Sequence, residues 1–147
     1  MEVVVQNRQK RHRVKTTKVR ETAERILSDL GCHECELSIL LVDDDEMTHL
    51  NLEYLARDRP TNVLAFPMRE GENGHLHPHL LGDVIISTET AEREARHGGV
   101  ILQEEMALLL VHGILHLLGY DHEGDPDEAA AMEAKEQEIL NRLDFEE

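Results

Sequence analysis

Residues 106 to 118, MALLLVHGILHLL, limit this chain more than any other stretch. Read at 3.6 residues per turn, Met106, Leu108, Leu109, Leu110, Val111, Ile114, Leu115, Leu117 and Leu118 surround the axis almost completely, so the helix, expected from about residue 101 to 118, must be central and buried. Two histidines lie inside it. Burying imidazoles among leucines is costly unless hydrogen bonds or a metal satisfy them. His112 and His116 are four apart, which stacks them on one face at adjacent turns. Gly119 is the residue type that ends helices, because it enters the left-handed region without a Cβ penalty, and the chain can then double back and return His122 towards the pair. Three neutral imidazoles suit one tetrahedral zinc ion, whose fourth position stays open to water, a catalytic arrangement. The neighbouring carboxylates Asp121 and Glu123 can orient a ligand by hydrogen bonding.

The spacing HxxxHxxGxxH, shared with metzincin proteases, places metal at residues 112, 116 and 122. Those proteases carry a glutamate general base directly after the first histidine. Here that residue is Gly113, which disfavours peptide hydrolysis by that route. The segment HGILHLLGYDH (112 to 122) resembles the signature of the YbeY family of bacterial endoribonucleases. RPTNVLAFP (59 to 67) and LGDVIIS (81 to 87) resemble two further blocks of that family, in the expected order, over about residues 39 to 143.

The resemblance implies a small zincin-like fold with one zinc ion in a cleft. It also implies a single-strand-specific endoribonuclease acting in maturation of the small-subunit ribosomal RNA 3′ end and in ribosome quality control. Its expected partners are ribosomal RNA, small-subunit ribosomal proteins and an assembly GTPase. Zinc-activated water removes the need for a protein nucleophile. Proton handling then falls to the zinc-bound hydroxide or to a nearby carboxylate, for which Asp83 and Asp121 are the candidates. The pentavalent transition state also wants a cation near its non-bridging oxygens, ideally an arginine fork. Members of the family typically place an arginine directly after the aromatic residue corresponding to Tyr54. This chain has Leu55 there, then Ala56 in place of glycine, so Arg57 and Arg59 become the candidates, and Ala65 replaces a common serine.

At 147 residues the chain is expected to be a single metal-dependent hydrolase domain with one substantial core. No charged n-region with an apolar stretch opens it, and MALLLV is far too short to cross a bilayer, so a cytoplasmic location without membrane contact is expected. CHEC, residues 32 to 35, reads as two reduced thiols without an assigned role.

A net charge of −16 argues against a grip on phosphates, but the charge is unevenly distributed. Seven of the fifteen Lys and Arg residues lie between Arg8 and Arg20 with no acid among them. That segment is either a contact for RNA or a solvated helix face. The acids crowd into positions 43 to 46 and the last third. Two other functions remain readable: a ribosome-assembly binding factor with a mainly structural zinc, whose acidic surface would meet a basic ribosomal protein, and a metallopeptidase or amidase.

Strands are expected at residues 2 to 6, 36 to 42, 62 to 66 and 83 to 87. Helices are expected at 14 to 30, from an Asp43 to Asp45 cap to about 55, from a Ser87 or Thr88 cap to 96, at 101 to 118 and at 127 to 143. The fold class is therefore α+β, a small mixed sheet packed with about five helices. His75, His77 and His79, in a glycine- and proline-containing stretch, read as a solvated loop rather than a second metal site.

Overall fold

A computed structural model of the chain describes residues 1–68, 79–120 and 124–143. In chain order its elements are β1 (Glu2–Asn7), α1 (Thr16–Asp29), β2 (Glu36–Val42), α2 (Asp44–Leu55), β3 (Val63–Pro67), β4 (Leu80–Ser87), α3 (Thr88–Gly98), α4 (Leu102–Leu117) and α5 (Pro126–Leu140). The four strands form one mixed sheet in the order β1-β2-β4-β3. β1 and β4 run parallel to β2, while β3 pairs antiparallel with β4 at the edge. This is the α+β fold with a small mixed sheet and five helices that the sequence pattern implies.

The apolar stretch is α4, as expected. Leu110, Val111, Ile114 and Leu115 are each at most 1% exposed and share one core with Ile39 and Leu41 of β2 and Val84 and Ile86 of β4. α1 adds Val19, Ala23 and Ile26 to it. Leu27 completes that stripe in place of Leu30, which serves as the C-cap. α2 covers the opposite face of the sheet through Met47, in a smaller cluster with Val42, Leu64 and Ile85. β4 starts at Leu80, earlier than its apolar run suggests, because pairing with Glu36 on one side and Pro67 on the other extends it.

The N-termini of α2 and α3 are tied together by two carboxylates, and at the start of α2 Glu89 of α3 accepts a hydrogen bond from the Asp44 N–H at 2.9 Å. Asp43 precedes α2 in extended conformation, but its side chain makes no capping bond. Asp44 instead accepts hydrogen bonds from Ser87 Oγ and Thr90 Oγ1, both at 2.6 Å, and pairs with Arg93 at 2.8 Å. Burial alone would raise its pKa, yet these donors and the Arg93 charge hold it below the ordinary aspartate value. Ser87 caps α3, accepting from the Thr90 N–H, as its position before the helix predicts.

Candidate metal centre and cleft

α4 packs on β3 and β4 and is flanked by α5. Its sheet-facing residue at the centre is Gly113, where an added Cβ would meet Val84 Cγ1 at 2.9 Å and Cγ2 at 3.1 Å. The place where a zinc protease carries its glutamate is therefore filled by a strand side chain. This gives a steric reason for the glycine and removes the general base from the peptidase reading.

His112 and His116 project beside that contact, both half-buried. Their Nε2 atoms face one another at 3.2 Å, with the rings nearly perpendicular. Two ligands of a tetrahedral zinc, each at roughly 2.0–2.1 Å, stand about 3.3 Å apart, so this pair is spaced to share one ion. Behind the pair, His112 Nδ1 meets Glu136 Oε1 of α5 at 2.5 Å. A carboxylate there fixes the Nδ1–H tautomer and leaves the Nε2 lone pair pointing at its partner histidine. α4 ends as its glycine implies: Gly119 has φ 101°, and the N–H groups of Gly119 and Tyr120 donate to the carbonyls of His116 and Leu115. The chain thus turns at Gly119, three residues before His122 in sequence. His122 and Asp121 themselves lie outside the described residues.

The other expected site residues divide between the two faces of the sheet. In the β3–β4 register Asp83 stands opposite Phe66, and Leu64 opposite Ile85. Leu64, Ile85 and Phe66 belong to the cluster under α2, whereas Val84 touches α4. Alternation along β4 therefore places Asp83 on the α2 side, away from His112 and His116. Arg57 and Arg59 lie on the exposed connection between α2 and β3. The buried Asn51 holds that connection, its carbonyl accepting from the Arg57 N–H and its Nδ2 donating to the Arg59 carbonyl. Leu55, at the family's arginine position, is 44% exposed. Ala56 adopts φ 57°, the left-handed conformation for which glycine is the usual choice.

Two carboxylates here escaped the sequence reading. Glu136 is one, and nothing in its spacing signals it beyond the requirement that a buried histidine have a partner. Glu105 is the other, two turns before His112 on the same stripe of α4 and only 8% exposed. Burial, together with Glu94 and Glu104, pushes its pKa up to about 7.

The basic segment is partly neutralised, with Arg8 pairing with Glu46 and Arg11 with Glu89. Arg13, Lys15 and Lys18 line a groove of about 480 Å³ between α1 and α4. Cys35 is buried in the main core. His79 is exposed and 3.8 Å from Glu34, while His75 and His77 lie outside the described residues. No single helix among the described residues is long and apolar enough to cross a membrane.

Comparison with known proteins gives the chain's relatives. Residues 4–144 match the family model described as Endoribonuclease YbeY. The endoribonuclease YbeY of Geobacter metallireducens is 52% identical over 147 residues, covering 99% of this chain and 98% of the relative. That of Syntrophotalea carbinolica is 50% identical over 140 residues, covering 95% and 93%. The solution structure of TM1509 from Thermotoga maritima superposes with a TM-score of 0.63 at 27% identity, covering 95% of this chain and 87% of that one.

Proposed function

Because the chain belongs to the YbeY family of endoribonucleases, we propose that it hydrolyses phosphodiester bonds of single-stranded RNA with one zinc ion held by His112, His116 and His122. We place that activity at the small-subunit ribosomal RNA 3′ end and in ribosome quality control, in the cytoplasm, with small-subunit ribosomal proteins and an assembly GTPase as partners. The observation that carries the metal-dependent reading is the facing Nε2 pair, 3.2 Å apart, with Glu136 behind His112.

When bound, zinc supplies a lowered pKa for its water and Lewis acidity towards a phosphoryl oxygen. The chain's own groups do the rest. Glu136 accepts a hydrogen bond from the Nδ1–H of His112 and keeps that ring in its ligating orientation. Val84 against Gly113 closes the sheet side of the cleft. Arg57 and Arg59, projecting from a connection pinned by Asn51, bind phosphate oxygens of the strand. Asp83, on the other face, is not placed to move a proton at the scissile bond, which leaves Asp121 as the carboxylate candidate.

The exposed Leu55 favours one competing reading, a ribosome-assembly binding factor with a mainly structural zinc. One experiment separates the two: a short single-stranded RNA spanning the precursor of the small-subunit 3′ end is incubated with metal-quantified protein and with His116→Ala. Cleavage by the parent alone supports the nuclease. One bound zinc with no cleavage by either supports the binding factor, and normal zinc content in His116→Ala overturns the ligand assignment.

A further inference from the structure

Only four aromatic residues, two tyrosines and two phenylalanines, occur in the chain. Two of them meet at the surface: Tyr54, in the last turn of α2, lies against Phe66 of β3 with ring centroids 5.2 Å apart and planes tilted by 56°. Tyr54 is 58% exposed, Leu55, the last residue of α2, 44%, and Met68, just after β3, 45%. Tyr54 lies open to solvent over a half-buried Phe66 that packs on the cluster under α2, and with Leu55 and Met68 it forms uncovered apolar surface of the kind that marks a binding face.

The surroundings identify the occupant. Arg57 and Arg59 follow Tyr54 by three and five residues, and among the described residues neither forms an ion pair, even with the nearby Glu53 or the intervening Asp58. Their backbone is anchored through Asn51, so the guanidinium groups leave from fixed points. Asp83, facing Phe66 across the β3–β4 register, adds a carboxylate acceptor for a base amino group. β3 is the sheet edge, and its Val63 lies against Gly113, beside the histidines. A strand rounding this edge therefore passes from the histidine cleft to the aromatic pair. An exposed ring backed by a second ring, with cations alongside, matches the alternating bases and phosphates of single-stranded RNA.

We propose that Tyr54, supported by Phe66, is a stacking subsite for one nucleobase flanking the scissile phosphate. The proposal rests on RNA being the substrate. It is tested with a set of single-stranded RNAs in which one abasic nucleotide is walked along the strand, using the zinc-loaded parent, Tyr54→Ala and Tyr54→Phe. Tyr54→Ala is expected to raise KM about tenfold, with kcat within about twofold, and Tyr54→Phe to restore the parental KM. At one nucleotide position the abasic substitution should impair the parent and leave Tyr54→Ala unaffected. The slope of log affinity against log salt should be unchanged in Tyr54→Ala and shallower by about one in Arg57→Ala.

If the parent cleaves RNA but no abasic position couples to Tyr54, the subsite is wrong and the nuclease reading stands. A parent that neither binds nor cleaves RNA overturns both. Tyr54→Ala that cleaves RNA normally but loses a protein partner assigns the patch to protein and overturns the subsite.

Discussion

At the scale of single residues, the contact between Glu136 and His112 has the largest functional consequence. A ligand histidine that donates its far N–H to a carboxylate is oriented and made more basic, and loss of such a partner commonly lowers metal affinity about 10–100-fold. Glu136→Gln keeps the size of the side chain but removes its charge. It is expected to weaken zinc binding within that range in a chelator competition, while the chelated protein melts near the parental temperature. Parental zinc affinity in the variant would show that Glu136 does not hold the ring. A second residue prediction concerns Ala56, whose φ of 57° costs a Cβ-bearing residue energy that glycine avoids. Ala56→Gly should stabilise the fold by roughly 0.5–1 kcal/mol in denaturant unfolding, after the greater freedom of glycine in the unfolded chain is deducted. The two histidines were legible because four residues is one helical turn. Glu136 was not, since it lies 24 residues beyond His112 and only the docking of α5 on α4 brings it there.

Elements obeyed local rules where a single period governed them, and departed where two elements met. The burial stripes of α1 and α4 follow from helical spacing, and Ser87 caps α3 as its position suggests. Asp43 to Asp45 are expected to cap α2, but α2 and α3 begin side by side and exchange carboxylates: Glu89 of α3 accepts from the Asp44 N–H, while the Asp44 side chain binds Ser87, Thr90 and Arg93. Asp83 reads as a cleft residue only while β4 is considered alone. Once β3 pairs with it and Val84 is taken by α4, alternation assigns Asp83 to the other face. The meeting of α3 and α4 also carries a pH dependence. Glu105 has a folded pKa of about 7, above its ordinary 4.5, through burial and the nearby Glu94 and Glu104. The folded state therefore holds a proton that the unfolded state releases, so stability falls as pH rises from about 4.5 to 7. Glu105→Gln should leave stability near pH 4.5 almost unchanged and raise it at pH 8 by on the order of 1–2 kcal/mol. Parallel pH–stability curves for parent and variant would rule out Glu105 as the source.

For the whole molecule the governing quantity is the net charge of −16. Self-repulsion on that scale opposes compaction, and salt screens it, the Debye length falling from about 30 Å at 0.01 M to about 8 Å at 0.15 M. Opposing this are ion pairs such as Arg8–Glu46 and Arg11–Glu89, which salt weakens. Exposed pairs of this kind contribute roughly 0–1 kcal/mol each, so the repulsive sum dominates. The melting temperature should rise by a few degrees as sodium chloride increases from about 0.01 to 0.15 M, with sucrose at matched osmolality unable to reproduce the full rise. A falling melting temperature would mean that the pairs anchoring the basic segment outweigh the net charge. RNA affinity should move the other way over the same range, because each phosphate engaged by Arg57 or Arg59 releases counterions that added salt opposes. The two trends together separate global repulsion from local attraction. If both stability and RNA affinity rose with salt, RNA would be held by apolar stacking on Tyr54 and Phe66 with little help from the arginines.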